Sequence, residues 1–374
     1  MWFFRSPSIV YGEDSISFFN EIPQRRLAIV TDGNIVRTGL LQKIKDELPP
    51  DAELLIIDDV PVEPTMSYVL SLKGKIIDFN PDLIVGLGGG SCMDCAKVAF
   101  VTYERPDIDL HDITPLVHLN LRKKAGLILI PTTSGTGSEC SWAAVISDDD
   151  HGRKNEFASP EIIADFAIID PAMVSSLPVP VRKSTAVDAL THAIEARSSA
   201  WKNPYSDIFS DKAVELISSN LFEAISHPEN TDAVSNVHIG ASMAGLAFSN
   251  SQITLAHSLG HSLGAHFKIP HGISVGIFLP QVIRFNYAES KEEYAALNKK
   301  FPANLRKRYL YQTVENFLKE LSMPMKISDL NITKDEYEKK MDSMVSLALE
   351  STGTVLNPRD AGRAELEMFL KEIE

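Results

Sequence analysis

Asp188 and His192 stand four residues apart in the segment DALTHAIEA, a spacing that places a carboxylate and an imidazole on one face of a helix. His257 and His261 repeat that spacing in HSLGHSLGAHFKIPHG, and His266 and His271 follow, so four of the ten histidines fall within residues 257–271. A lone histidine is usually a packed core or surface residue. An acid–imidazole face together with such a cluster is the donor set of a divalent metal site. The spacing leaves open which of the clustered histidines bind. The set Asp188, His192, His257 and His271 would offer one oxygen and three nitrogens, which suits Fe2+, Zn2+, Ni2+ or Co2+ better than Mg2+ or Ca2+. Four protein ligands around tetrahedral Zn2+ normally make a structural site. A catalytic centre therefore needs a fifth position for substrate, which favours Fe2+ or an expanded Zn2+ site.

Two other segments combine glycine with hydroxyl side chains. Gly88-Gly89-Gly90-Ser91 follows the apolar run 83–87 and precedes a helical stretch expected to start near Ser91. Glycine lets the backbone approach a ligand, the N–H groups of a helix start attract anions, and Ser91 can cap the helix or bond a phosphate oxygen. The same residues also suit a plain strand-to-helix turn, and the usual Gly-x-Gly-x-x-Gly fingerprint after the first strand is absent. Pro131-Thr132-Thr133-Ser134-Gly135-Thr136-Gly137-Ser138-Glu139 is a second such loop after a buried run. Both fall at the edge where open α/β sheets bind ligands, and together they point to a ligand site. Cys92-Met93-Asp94-Cys95 has the form of a Cys-x-x-Cys pair, and a helix start could activate Cys92. No second pair accompanies it and Cys140 is isolated, so packing is the expected role.

The elements that must position these residues differ between the two halves of the chain. Residues 27–30, 54–57, 83–87 and 127–130 are continuous apolar runs, as in strands covered on both faces, and 65–79 and 93–103 read as helices. Their alternation predicts an α/β N-terminal Rossmann-like domain with a parallel sheet over residues 1–175. Ser175-Ser176-Leu177-Pro178-Val179-Pro180 is the expected linker. Beyond it, 183–197, 205–218, 233–248 and 309–321 carry apolar residues at helical spacing, which predicts an all-α C-terminal metal-binding domain over 176–374. Asp148-Asp149-Asp150 reads as a solvated turn.

Composition excludes several function classes. The 374 residues are 44% hydrophobic and 23% charged, which is ordinary for a globular chain and not for a disordered or fibrous one. Lys+Arg 36 against Asp+Glu 50 gives a net charge of −14, a field that repels nucleic acid and anionic membranes. No apolar run is long enough to span a bilayer, and Met1-Trp2-Phe3-Phe4-Arg5 is too short for a signal-peptide core. Three cysteines argue against a disulfide framework, so a cytoplasmic location is expected.

The segments GGGSCMDCAK, PTTSGTGSE, DALTHAIEA and HSLGHSLGAHFKIPHG, in this order, resemble the iron-containing (group III) alcohol dehydrogenases, a family that includes lactaldehyde reductase and butanol dehydrogenases. The resemblance runs from Val30-Thr31-Asp32 to TGTVLNPR at residues 352–359. It implies that Asp188, His192, His257 and His271 are the metal ligands, with Fe2+ the expected cation and Zn2+ the alternative. His261 would line the site without ligating and relay or orient a proton. Gly88, Gly89, Gly90 and Ser91 would hold the pyrophosphate of a nicotinamide dinucleotide, NAD(H). Asp94, Thr132, Thr133, Thr136 and Lys154 would make further cofactor contacts, and Asp32 would face the adenosine ribose. Phe248 matches a pocket aromatic of the family. Ser351 stands where relatives often have cysteine, and His266 is an additional histidine; both could shape the substrate pocket. The implied reaction is hydride transfer between the nicotinamide and a small neutral alcohol or aldehyde. Relatives are commonly dimers or larger, so a homodimer or larger homo-oligomer is expected.

Two rival activities share these features, and one reading removes them. A glycerol or polyol-phosphate dehydrogenase is a near alternative. A dehydroquinate synthase-like lyase would need several Lys and Arg around the metal, and residues 241–250 and 255–265 contain none. A catalytically inactive metal- or nucleotide-binding regulator is opposed by the complete ligand set.

Overall fold

The computed structural model describes residues 3–149 and 154–374, so Asp150 of the acidic turn and Met1-Trp2 lie outside the described residues. The chain forms two compact units, Met1–Ser176 and Leu177–Glu374.

The first unit contains strands β1 (Ser8–Tyr11), β2 (Arg26–Val30), β3 (Glu53–Ile57), β4 (Leu83–Gly88), β5 (Gly126–Pro131), β6 (Ala143–Ser147), β7 (Lys154–Ala158) and β8 (Phe166–Ile169). Its helices are α1 (Gly33–Arg37), α2 (Leu40–Asp46), α3 (Met66–Phe79) and α4 (Gly90–Glu104). Six strands form one parallel sheet in the order β1-β8-β5-β4-β2-β3. The continuous apolar runs have a direct explanation. Ala28, Val30, Ile84, Leu127 and Leu129 pack into a core with α3 and α4, whereas Leu27, Ile29, Val85, Leu87 and Ile128 face a second core on the other side, with Leu41 and Ile44 of α2. Both faces of β2, β4 and β5 are thus buried, and period-two alternation is lost there.

The register places Val30 opposite Gly86 and Gly88 opposite Pro131, so the carboxyl ends of β2, β4 and β5 come out at one edge. There the chain passes from Gly88 into α4. Gly88 has φ +154°, and an added Cβ would lie 2.6 Å from Cys92 Sγ, which leaves glycine as the fitting residue. Gly89 is the N-cap, so α4 starts one residue before the expected position. Ser91 is therefore a first-turn residue and not the cap; its hydroxyl donates to the Val62 carbonyl oxygen instead.

The strand Ser8–Tyr11 and the antiparallel hairpin of β6 and β7 were not predicted from the apolar runs. The former is a four-residue edge strand with no fully buried residue, and β6 alternates buried and half-buried positions. Neither produces a continuous apolar run.

In the second unit lie α5 (Val179–Ser198), α6 (Pro204–Ser226), α7 (Thr231–Ser249), α8 (Leu255–Phe267), α9 (His271–Gly276), α10 (Leu279–Phe285), α11 (Lys291–Asn298), α12 (Leu310–Glu320), α13 (Lys334–Leu349), α14 (Thr352–Val355) and α15 (Arg363–Glu372). Among the described residues no strand occurs there. The expected linker 175–180 is shorter than predicted, because Val179 and Pro180 belong to the first turn of α5. Proline fits that turn, where its missing N–H has no intrahelical partner to lose. The short helix α9 lies close against α5: a Cβ on Gly272 would sit 1.8 Å from the Ser184 carbonyl oxygen, and one on Gly276 2.5 Å from Val187 Cγ1. Among the described residues no helix is long and apolar enough to cross a membrane.

Candidate functional site

Helix α5 carries Asp188 and His192 one turn apart, α8 presents His257 in its first turn, and α9 begins with His271. Asp188 Oδ1 lies 3.8 Å from His192 Nδ1, 3.6 Å from His257 Nε2 and 3.3 Å from His271 Nε2. The four donor atoms all fall within 4.8 Å of one another. Asp188 Oδ1 and His257 Nε2 are buried and have no hydrogen-bond partner. Buried polar atoms are normally paired, so two unpaired ones pointing into one small space fit a cation that takes their lone pairs.

The electrostatics agree with this arrangement. Burial pushes the Asp188 carboxyl up, but His271, His192 and His257 outweigh it and hold the group well below the usual carboxylate range. Burial pushes the His257 imidazole down, yet Glu195 and Asp188 more than reverse that and raise it to about 9. The cluster therefore holds a proton that an incoming cation must displace.

The other residues expected at this site fall into two groups. His261 stacks on His271 at 5.0 Å between ring centroids and meets the His257 ring edge-on at 5.7 Å. Phe248, near the end of α7, stacks on His192 at 4.3 Å. Ser351 and His266 are hydrogen-bonded within the second unit. Ser351 N-caps α14 through the Gly353 N–H and pairs with the Ser258 hydroxyl at 3.0 Å. The His266 ring is held by the Ser262 carbonyl oxygen and by Ser343 of α13. Its position four residues past Ser262 turns it to α13, not to the cluster of rings.

Glu195 was missed. It is buried beside the cluster, with Oε2 2.5 Å from His257 Nδ1, while Oε1 accepts from the Thr254 hydroxyl at 2.7 Å and from the Ala256 N–H at 2.6 Å. The available signal was its position three residues after His192 and seven after Asp188, on the same helix face.

In the first unit the two glycine- and hydroxyl-rich loops abut. A Cβ on Gly89 would lie 3.6 Å from Thr133 Cγ2, and one on Gly90 3.0 Å from Thr136 Cγ2. No side chain caps α4, so its opening N–H groups face this loop edge. Thr133 Oγ1 is buried with no hydrogen-bond partner, and the Thr132 N–H donates to the Gly88 carbonyl oxygen at 2.9 Å. Asp32 N-caps α1 through the Asn34 and Ile35 N–H groups, and its Oδ2 accepts from the Cys92 thiol at 3.4 Å. That oxygen also borders Gly88, 3.9 Å from where a Cβ would stand.

Several other polar side chains of this region are bonded within the protein. Asp94 accepts from the Ser138 hydroxyl at 2.6 Å and the Val145 N–H at 2.9 Å. Lys154 reaches Glu63 at 3.5 Å. Buried Lys97 donates to Ser138, Ser141 and the Ala143 carbonyl oxygen, tying α4 to the second loop. Cys92 and Cys95 are free, buried thiols. Burial pushes Cys95 up to about 12 and Cys92 higher still, the opposite of thiol activation.

Comparison with known proteins matches the model of the Fe-containing alcohol dehydrogenase family, C-terminal, to residues 183–373 and that of iron-containing alcohol dehydrogenase to residues 6–171. The chain is 34% identical to an alcohol dehydrogenase of Thermococcus barophilus over 97% of its own length and 96% of that protein's. It is 32% identical to an NADPH-dependent butanol dehydrogenase of Clostridium saccharobutylicum over 97% and 95%. An iron-containing alcohol dehydrogenase structure from Thermococcus thioreducens superposes with a TM-score of 0.90 at 28% identity, covering 100% of this chain and 99% of the other.

Proposed function

The chain belongs to the iron-containing alcohol dehydrogenase family, and from that premise we propose that it interconverts small neutral alcohols and aldehydes, using NAD(H) and a divalent cation, Fe2+ before Zn2+, held by Asp188, His192, His257 and His271. The observation that carries this reading is the pair of buried, unpartnered donor atoms, Asp188 Oδ1 and His257 Nε2, converging with His192 and His271. When bound, the cation supplies Lewis acidity to a carbonyl or hydroxyl oxygen, and the nicotinamide supplies or accepts the hydride.

The chain's own residues do the rest. Asp188 contributes one negative charge to the ligand set, so a divalent cation keeps about one net positive charge. Phe248, stacked on His192, gives the site an apolar wall that favours neutral over phosphorylated substrates. The absence of Lys and Arg from 241–250 and 255–265 supports the same choice. His261, stacked on His271, is placed to hold or pass on the proton of the substrate oxygen. In the first unit Gly88, Gly89, Gly90 and Ser91 would carry the pyrophosphate on backbone N–H groups, with the Thr133 hydroxyl as a further donor. Asp94, Thr132, Thr136 and Lys154 would make further contacts to the cofactor. Asp32 Oδ2, bordering Gly88, would accept from a ribose 2′-hydroxyl and repel a 2′-phosphate, which supports NAD(H) over NADP(H).

Metal analysis of the purified protein, joined to NADH oxidation with a panel of short aldehydes, tests the reading. Dialysis against a chelator should abolish turnover and cation addition restore it; activity unchanged by chelation overturns the metal centre. His261→Ala should keep the metal and slow turnover by about 10²–10⁴-fold. Faster turnover of a phosphorylated polyol than of any neutral alcohol overturns the substrate class.

A further inference from the structure

We propose that Glu195 is a positioning residue that fixes the tautomer of His257, so that its Nε2 faces the metal position as a bare lone pair; the proposal rests on the metal centre described above. A neutral imidazole carries one proton, on either Nδ1 or Nε2, and only the bare nitrogen can ligate. Glu195 Oε2, 2.5 Å from Nδ1, is a carboxylate oxygen that can only accept. In the neutral ring it therefore keeps the one proton on Nδ1 and leaves Nε2, 3.6 Å from Asp188 Oδ1, without one. Nε2 is buried with no hydrogen-bond partner, and the Asp188 carboxylate is farther from it than Glu195 is from Nδ1.

The other carboxylate oxygen has a separate task. Oε1 accepts from the Thr254 hydroxyl and from the Ala256 N–H, at the start of α8. Thr254 is the N-cap of that helix, and its own side chain caps nothing. Glu195 supplies the capping acceptor from a neighbouring helix, and its charge suits the positive end of the helix dipole. One side chain thus sets both the entry of α8 and the ring orientation of the ligand two residues inside it. Three donors converge on two oxygens, so both oxygens must be acceptors.

That last requirement makes Glu195→Gln informative. The amide that replaces the carboxylate has one acceptor oxygen and one NH2 group. The oxygen goes to the pair of donors at the start of α8, and the NH2 then faces His257 Nδ1. An NH2 donor there forces the proton onto Nε2, the nitrogen that must ligate. Glu195→Ala leaves either tautomer accessible, at the expense of a small cavity and the cap. The positioning role therefore ranks Glu195→Gln below Glu195→Ala in metal affinity. A merely structural role ranks them the other way, because glutamine conserves shape and alanine does not.

The experiment is a Co2+ titration of the full-length protein against a competing chelator, with melting temperatures, and with 15N spectra of His257 in the metal-free proteins recorded above about pH 9, where the ring carries a single proton. Glu195→Gln should bind Co2+ about 10- to 100-fold more weakly than the parent, as for other residues that orient a ligand. Its His257 should be protonated on Nε2, and the parent's on Nδ1. Glu195→Ala should lie between them in affinity while melting lowest. Binding by Glu195→Gln within twofold of the parent, or an Nε2-protonated His257 in the parent, overturns the proposal. If the parent binds no Co2+ yet shows the Nδ1 proton, the metal reading fails and the tautomer assignment stands.

Discussion

The Asp/His cluster of the helical unit and the glycine loop of the α/β unit are built on opposite principles. In the cluster, side chains do the holding: Asp188, His192, His257 and His271 converge within 4.8 Å, two of their donor atoms unpartnered. At the loop, most polar side chains already serve the protein. Asp94 bonds Ser138 and Val145, Ser91 bonds Val62, Lys154 pairs with Glu63, and Asp32 caps a helix. What remains for a ligand is the backbone, the space that the glycines leave, and the Thr133 hydroxyl. A side-chain site is lost by deleting a donor. A backbone site is lost by adding an atom.

The largest effect should come from Asp188→Ala. It removes the atom that all three imidazoles face, and should lower turnover about a thousandfold or more, the loss of ~4 kcal/mol of charge stabilisation. NADH binding, followed by fluorescence, should stay within a fewfold; a matching loss of cofactor affinity would break the separation of the two regions. Next in size is Asp32→Asn, which can still cap α1 but carries no charge. It should narrow the preference for NADH over NADPH by roughly a hundredfold in kcat/KM. The unmodified protein using NADPH as well as NADH would refute the role given to Asp32.

A third effect grows with pH. His257, raised to about 9, must lose its proton before Nε2 can ligate. Below that value each added pH unit should strengthen Co2+ binding about tenfold, with a plateau above it. A flat profile between pH 6 and about 8 would mean that no such proton is displaced. The smallest change is expected of Gly89→Ala. The nearest atom to its new methyl would be Thr133 Cγ2 at 3.6 Å, ordinary van der Waals contact, so melting should not shift. In the proposed cofactor site the methyl would crowd the pyrophosphate, and should weaken NADH binding about tenfold. Unaltered binding would place the dinucleotide elsewhere.

What could be read from the sequence follows the same division. Asp188 and His192 were legible because helical periodicity alone puts them on one face. The sheet was legible because Leu83-Ile84-Val85 and Leu127-Ile128-Leu129 are buried on both sides and show it as unbroken apolar runs. Ser8–Tyr11 was not, since an edge strand with no buried residue leaves no such mark. Glu195 escaped for a different reason: its meaning comes from a partner 62 residues away, and local spacing gives an acid on a helix face no way to announce a histidine. His266 shows the reverse case, a histidine at suggestive spacing whose ring is taken by Ser262 and Ser343.

Gly272 and Gly276 let α9 lie close against α5, the first against the Ser184 carbonyl and the second against the Val187 side chain. The position of His271 relative to Asp188 is therefore set by helix packing before any cation arrives. A template of this kind does not have to refold when its occupant changes, and His271, with 37% of its side chain exposed, offers the way in and out. Occupancy then becomes a question of exchange and supply. The Irving–Williams series favours Cu2+ and Zn2+ over Fe2+ for such nitrogen-rich sets, so the cation recovered with the protein reports the medium in which it was made as much as the ligands that hold it.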